Sequence, residues 1–212
     1  MRITPLISVA CVLTLLAPAV LAEVLSVSSD GTGDFVSLEA AVLAAQDGDV
    51  LLLHGDFATE TPSFVGKSLV FVGEAGERPL VGGLSINNIP QGGAVVVRGL
   101  SIGPKPEREP FTGSLAIWNS VGSVLVEDCV IEGLDGDPTT SSSTWGEPAV
   151  VVASSTGVVI TRCTMVGGDA ATFEGSTLLV PVGKPGSGLD FDFSGVNVFA
   201  STVIGGAGAM RC

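Results

Sequence analysis

Hydrophobic and polar residues alternate in short runs along most of the chain, a pattern typical of β-strands. Runs at 24–27 and 49–53 are followed by four later segments that align with one another, at 95–102, 124–131, 158–165 and 196–203. In each later segment the apolar spacing slips once from two residues to three, at Gly99, Asp128, Arg162 and Ala200. A sharp two-residue turn between two strands explains this slip.

A further short apolar strand precedes each of the four segments, at 84–86, 115–117, 150–152 and 189–191. Each repeat therefore contains three short strands and three turns, and no single repeat can bury its own apolar face. Stacking the repeats in register, with strands about 4.8 Å apart, buries a continuous aliphatic column. The predicted inward columns are Val97/Val126/Ile160/Val198, Leu100/Cys129/Cys163/Ser201 and Ile102/Ile131/Met165/Val203.

This arrangement predicts an all-β protein, specifically a right-handed parallel β-helix, or solenoid. An antiparallel sandwich is the alternative, because isolated short strands are typical of that fold as well. The repeats grow in length, with spacings of 29, 34 and 38 residues from Val97 to Val126, Ile160 and Val198. Nearly all the growth lies between the third strand of one repeat and the first strand of the next, so the insertions collect along one edge. In repeat folds such an edge is often the binding face.

One amphipathic helix is predicted, at 35–46. Its apolar face comprises Leu38, Ala41, Val42 and Ala45, and Asp34 is the expected N-cap. Asp47 and Gly48 are expected to end the helix. This N-terminal helix would cap the open end of the first repeat, where backbone groups are otherwise unpaired.

The first 22 residues resemble a cleaved secretory signal, with Arg2, a long apolar run and a small-residue site at 20–22. A single membrane anchor, or a lipid attached at Cys11, is the alternative. The predicted organisation is a signal peptide at 1–22, a cap with its strand, helix and first strand at 23–60, and β-helix repeats at 61–212. The sequence stops directly after a repeat, which predicts a truncated chain, a tail folded over the end, or further coils or another chain paired with it.

The chain carries 22 acidic and 9 basic residues, a formal net charge of −13. Phosphate neutralisation needs a basic surface, so this balance argues against nucleic acid as a partner. The predicted location is secreted, periplasmic or on the cell surface, without membrane contact once the signal is removed. Three cysteines then remain, an odd number for an oxidising compartment. Cys129 and Cys163 share one inward column, where either a disulfide or a stack of free thiols is expected.

The N-terminal stretches 29–35 and 40–49, read together, resemble the N-terminal cap of pectinesterases and other proteins of the pectin lyase-like superfamily. Residues 67–73 and 97–102 look like the first coils of that superfamily, and the resemblance covers roughly residues 23–206. It implies the β-helix fold and an extracellular, polysaccharide-related role. The catalytic segments of pectinesterases and polygalacturonases do not occur here, and the only histidine, His54, is predicted to be a turn residue.

Candidate binding residues are sought where the first strand of each repeat meets the long insertions. Trp118 is predicted to face outward and Trp145 lies in a neighbouring insertion, where exposed indoles would stack on sugars; the alternative is that they pack a loop on the sheet. Asp190 and Asp192 alternate with phenylalanines, so both would face solvent, either as an acid pair, as Ca²⁺ ligands or as an ordinary polar strand face.

Two further acidic groups have alternative interpretations. Asp128 and Arg162 occupy the same turn position on successive repeats, which predicts a stacked salt bridge; the alternative is a catalytic base assisted by acids, although this edge is not the one with the long insertions. Glu132, Asp135 and Asp137 would either bind Ca²⁺ or form a plain polar loop, and their spacing matches no calcium loop. No resident metal is predicted, Ca²⁺ being the one candidate cofactor.

These observations predict a secreted, non-catalytic binding or structural module with extracellular polysaccharide as its candidate partner. The alternative is a polysaccharide-active lyase, esterase or hydrolase, or a fragment of one. Binding to acidic pectin would conflict with the negative charge of the chain unless Ca²⁺ bridges the two.

Overall fold

The computed structural model describes residues 22–104, 113–137, 145–169, 186–192 and 195–206. Its regular elements are one helix and seventeen short strands. In chain order they are β1 (Val24–Ser28), α1 (Leu38–Ala44), β2 (Val50–His54), β3 (Ser63–Val65), β4 (Val70–Gly73), β5 (Leu80–Val81), β6 (Leu84–Asn87), β7 (Ala94–Arg98), β8 (Ser101–Ile102), β9 (Leu115–Trp118), β10 (Ser123–Glu127), β11 (Val130–Glu132), β12 (Val150–Ala153), β13 (Val158–Thr161), β14 (Thr164–Val166), β15 (Leu189–Asp192), β16 (Val196–Phe199) and β17 (Thr202–Ile204).

The strands form three sheets, here called I, II and III. Sheet I has the order β1-β2-β4-β7-β10-β13-β16, sheet II the order β5-β8-β11-β14-β17 and sheet III the order β3-β6-β9-β12-β15. From β3 onward the chain visits sheets III, I and II in constant rotation. Every strand pairing among the described residues is parallel, which confirms an all-β, parallel architecture and excludes the antiparallel sandwich.

The predicted register of the repeats is confirmed. In sheet I, Val126 pairs with Val97 on one side and with Ile160 on the other, and Ile160 pairs with Val198. The corresponding column in sheet II is Ile102, Ile131, Met165 and Val203. All members except the last of each column are buried. Because β16 and β17 are the end strands of their sheets, Val198 and Val203 stay 36% and 49% exposed.

The turns between sheets I and II also match the prediction. Gly99, Asp128, Arg162 and Ala200 all have a left-handed backbone, with φ between 46° and 69°. A residue with this backbone conformation turns the chain sharply within two positions. Only glycine adopts a positive φ without a steric cost. The repeated slip in apolar spacing therefore reports a real corner of the fold.

The helix differs from its prediction at both ends. It runs from Leu38 to Ala44, and Ser37 rather than Asp34 is the N-cap, with its hydroxyl accepting a hydrogen bond from the backbone N–H of Ala40. Asp34 lies beside β1 instead, since its carboxylate accepts hydrogen bonds from both the backbone N–H and the hydroxyl of Ser26. Helix α1 buries Leu38, Ala41 and Val42 and packs against β1 and β3, the end strands of sheets I and III.

The C-terminus of the helix is capped by a lysine side chain, whereas Asp47 and Gly48 were expected to end the helix. The Lys67 ammonium donates to the backbone oxygens of Val42, Leu43 and Ala45, at 2.8–3.1 Å. These carbonyls have no partner inside the helix, and a cation also complements the negative end of the helix dipole. One side chain thereby joins helix α1 to the segment between β3 and β4.

The connections between strands differ greatly in length according to the corner they turn. Each turn from sheet I to sheet II in the later repeats has two residues between strands, as between β10 and β11. From sheet II to sheet III, the connections after β8, β11 and β14 comprise residues 103–114, 133–149 and 167–188. The predicted edge of insertions is therefore confirmed as one corner of the three-sheet arrangement.

The predicted signal peptide lies almost wholly outside the described residues, which begin at Ala22. Among the residues that are described, no helix combines the length and the apolar character needed to span a bilayer.

Candidate functional site

The surface of sheet III beside the long connections carries the predicted binding residues. Two columns run across its strands in the predicted register, Ser85/Ala116/Val151/Asp190 and Asn87/Trp118/Ala153/Asp192. The expectation that both columns face solvent is only partly met, because Ala116 and Val151 are buried. These two apolar side chains are withdrawn from water, so the first column offers polar groups only at its ends.

Trp118 is the last residue of β9 and is half-buried. Its backbone oxygen accepts hydrogen bonds from the N–H of Asn88, on the preceding repeat, and from the hydroxyl of Ser120. Asn88 and Asn119 have left-handed φ values of 54° and 50°, which end β6 and β9 at the same height. The indole is therefore attached to a strand end that is fixed from two directions.

A buried ladder of side chains supports this corner. The hydroxyl of Ser120 accepts from the backbone N–H of Ile89, and that of Ser155 accepts from the N–H of Ser120, both at 3.1 Å. Each hydroxyl also donates to the carbonyl oxygen two residues earlier in its own repeat. Each serine thus satisfies one buried group above and one beside it, which holds the turn after Trp118 in place.

Trp145 lies in the connection that leads to β12, five residues before its first residue. Its side chain is 58% exposed. Asp190 is exposed on β15, and Asp192 ends the same strand in register with Ala153, its side chain being outside the described part of the chain. The structure therefore places Trp118, Trp145 and Asp190 on sheet III or on the connection entering it.

The acidic loop between β11 and β12 is tied to the next connection. Asp135 accepts a hydrogen bond from the backbone N–H of Asp169 at 2.7 Å, and the N–H of Gly136 donates to the Asp169 carbonyl oxygen. One carboxylate oxygen of Asp135 is thus used to join two successive connections. Glu132 is exposed on β11 and Asp137 is half-buried. A role of these residues in Ca²⁺ binding stays a prediction.

Cys129 and Cys163 are free, buried thiols, so the structure contains the cysteine stack and not the disulfide. The Cys163 sulfur lies 3.5 Å from the backbone N–H of Cys129, and the hydroxyl of Ser201 accepts from the N–H of Cys163 at 3.0 Å. The two thiols and Ser201 form a ladder like that of Ser120 and Ser155, in which each side chain contacts the backbone N–H of the preceding repeat. Contact with the Cys163 thiol, together with burial, raises the pKa of the Cys129 thiol.

The predicted salt bridge between Asp128 and Arg162 is confirmed as part of a larger group. Arg162 Nε lies 2.7 Å from Asp128 Oδ1, and its Nη2 contacts both Asp128 Oδ2 and Glu127. Arg98 Nε lies 3.3 Å from Glu127 Oε2 on the other side. Two acids and two bases therefore neutralise one another along the exposed corner, which indicates a structural role.

This group predicts a pH dependence of stability. Hydrogen bonding and charge from Arg162 lower the pKa of Asp128. An acid whose pKa is lower in the folded state stabilises the fold above its unfolded pKa, about 3.9, and loses that contribution as pH falls through the folded pKa. The variant Asp128→Asn, which keeps a side chain suited to left-handed φ, should be less stable than the wild type in urea unfolding at neutral pH. The difference should shrink as the pH falls below about 3.9 and through the lowered pKa of Asp128; a difference that stays unchanged across this acid range would contradict the assignment.

A second polar cluster lies at the end of β2 and was not predicted as a site. The Nδ1 atom of His54 is 2.7 Å from Glu74 Oε2 and 3.0 Å from Glu77 Oε2. The Glu74 carboxylate, and then that of Glu77, raise the pKa of His54. Sequence periodicity could not find this cluster because its acids lie in the turn after β4, outside the alternating pattern. The pairing of β2 with β4, once known, brings the two strand ends together.

No family model matches the chain, and neither do the curated proteins or the solved structures with which it was compared.

Proposed function

We propose that the chain is a right-handed parallel β-helix of the pectin lyase-like type that acts outside the cell as a non-catalytic module binding polysaccharide along sheet III. The rotation through sheets III, I and II, with parallel pairing throughout the described strands, supports the coiled path. Crossovers between parallel strands are right-handed in about 98% of cases, which supports the handedness. Helix α1 would then cap the first coil.

The observation that carries the binding role is the half-buried indole of Trp118, fixed at the end of a central strand of sheet III. Indole faces provide apolar area with little loss of conformational entropy, and the C–H face of a sugar ring is a suitable partner for them. Trp145, more than half exposed on the chain entering the same sheet, offers a second ring. A row of in-register strands suits an extended polymer, which repeats its contacts from one sugar to the next.

The charge of the protein supports neutral polysaccharides over polyanionic ones. The formal net charge is −13, and Asp190 is exposed on the proposed face. A polyuronate would be repelled unless Ca²⁺ bridged the two partners. An exposed carboxylate can instead accept hydrogen bonds from sugar hydroxyls.

Binding to a panel of neutral and uronic-acid polysaccharides, with and without Ca²⁺, tests this function. Retardation of the protein in gels containing a neutral glycan is expected, and Trp118→Ala should weaken it by about tenfold, since a well-placed aromatic contact contributes about 1–1.5 kcal/mol. Phe199→Ala is the matched control, because Phe199 is an aromatic residue on sheet I that is exposed to the same 58% as Trp145. Equal retardation of wild type and Trp118→Ala would overturn the assignment of the face.

The same panel distinguishes the module from a polysaccharide-active enzyme. Release of shortened or de-esterified product by the wild type, abolished by Asp190→Ala, would overturn the non-catalytic part of the proposal. Retention without product would support it.

The three end strands β15, β16 and β17 suggest how the chain associates. Phe199, Val203 and Ile204 on β16 and β17 are 46–58% exposed, and β17 ends sheet II as β16 ends sheet I. Parallel strands with one unpaired side accept a further strand. We therefore propose that these end strands pair with another chain.

A further inference from the structure

The cluster of His54, Glu74 and Glu77 is remote in sequence from the proposed glycan face and has a different chemistry. One donor atom from each residue, a ring nitrogen and two carboxylate oxygens, lies within 4.8 Å of the other two. From this convergence we propose that the cluster is a binding site for a divalent transition metal ion, Zn²⁺ being the ion that it suits best. This inference is independent of the proposed polysaccharide binding.

The backbone fixes all three side chains. Leu53 pairs with Gly73 across β2 and β4, and the N–H of Glu74 donates to the carbonyl oxygen of Leu53, so His54 and Glu74 follow adjacent strand ends. The N–H of Glu77 donates to the carbonyl oxygen of Glu74, which closes a tight turn and returns Glu77 to the same point. His54 thus lies at the end of β2, and Glu74 and Glu77 lie in the tight turn after β4, so backbone pairing places the three residues side by side.

The geometry at the histidine favours a shared ion over a hydrogen bond. Nδ1 is shielded from solvent, yet neither nearby carboxylate oxygen meets the geometry of a hydrogen bond from it. The carboxylate oxygens of Glu74 and Glu77 lie close to Nδ1 but away from the direction of its N–H bond. Ligands of one metal ion are neighbours of this kind, because each points to the ion and not to the other ligands. Two carboxylates that lie off the N–H direction are poor hydrogen-bond partners for a shielded nitrogen. A metal bound to Nδ1 would give this atom a directed bond and keep both carboxylates beside it.

The local charge also favours a bound cation. Glu74 and Glu77 form ion pairs, among the described residues, with His54 alone. A neutral imidazole beside these acids leaves an excess of negative charge, which a divalent cation would offset.

The donor set selects the class of metal. An imidazole nitrogen with two carboxylates suits Zn²⁺ and related first-row ions, whereas Ca²⁺ and Mg²⁺ prefer oxygen ligands alone. Three protein ligands leave a position for water or for an outside ligand. The side chains are 42–48% exposed, so this position would be open to solvent.

The test uses the full chain after removal of metal by a chelator, at pH 7.5. Calorimetric titration with Zn²⁺ should show one tight site per chain, and His54→Asn, Glu74→Gln and Glu77→Gln should each weaken it at least tenfold. Glu132→Gln, which alters an exposed acid on β11, is the matched control and should bind as the wild type does. Equal Zn²⁺ affinity in the wild type and the three cluster variants would overturn the site, as would preference for Ca²⁺ over Zn²⁺.

A second measurement on the unaltered protein does not depend on the folding of any variant. The chain contains one histidine, so the imidazole ring-proton signals in an NMR spectrum all belong to His54. Stoichiometric Zn²⁺ should shift these signals, and Co²⁺ should give a visible absorption spectrum that is lost in His54→Asn. Ring signals that do not respond to saturating Zn²⁺ would overturn the proposal and leave the glycan-binding proposal intact.

Discussion

Replacing Phe71 by alanine is expected to lower the free energy of unfolding by about 3–5 kcal/mol. Phe71 is fully buried in β4, between Leu51 of β2 and Val97 of β7, and its ring stacks on that of Phe64 with centroids 5.6 Å apart. It is the largest fully buried side chain among the described residues. The truncation loses both its transfer free energy and the contacts around the cavity that remains, since strands paired on both sides cannot collapse into it.

Urea unfolding followed by circular dichroism measures this loss. Phe199→Ala provides the control, because Phe199 belongs to the same sheet but is 58% exposed on its end strand. Its truncation should cost less than about 1 kcal/mol, in the range of surface substitutions. Comparable losses in the two variants would mean that the interior of sheet I is assigned to the wrong side chains.

The second large effect is expected for Gly168→Ala, at about 3 kcal/mol, the upper end of the usual cost of overpacking. A methyl group on Gly168 would overlap the carbonyl group of Leu134, in the connection of the preceding repeat. The backbone cannot move away easily, because the N–H of Gly168 donates to the Glu147 carbonyl oxygen and its own carbonyl oxygen accepts from the N–H of Gly186. Two successive connections, 133–149 and 167–188, are thus in direct backbone contact at this point.

The matched control is Gly195→Ala. Among the described residues, its added methyl group would meet nothing nearer than the Cα of Thr156, at 4.0 Å. Thermal unfolding should therefore show a large decrease in Tm for Gly168→Ala and almost none for Gly195→Ala. If both variants melted like the wild type, the close approach of the connections would be contradicted.

Much of the architecture could be predicted because the sequence repeats its own pattern. Val97, Val126, Ile160 and Val198 fall at equivalent points of four segments, and stacking them is the one arrangement that buries all four segments against each other. The left-handed corners could be predicted for the same reason, since a slip in spacing at one position recurs in every repeat. A sequence repeat thus predicts contacts between residues far apart in the chain when equivalent positions of successive repeats pair with one another.

Features without a period escaped prediction. Asp34 and Ser37 are both good N-cap residues three positions apart, and only the hydrogen bonds of Asp34 to Ser26 show which one begins the helix. The burial of Ala116 and Val151 depends on neighbours that strand alternation does not reveal. The convergence of His54 with Glu74 and Glu77 depends on turn geometry beyond the strand ends.

The connections from sheet II to sheet III differ in length, and this difference shows where the molecule can be altered. Strand pairing stays in register whether the connection there is residues 103–114, 133–149 or 167–188. The entropic cost of closing a loop rises only slowly with its length, so added residues at this corner weaken the framework little. A foreign peptide inserted into this corner, away from the backbone contacts around Leu134, Glu147 and Gly168, would accordingly be displayed from a rigid support. Gene variants that differ only in such inserted residues would keep the same scaffold while presenting different surfaces.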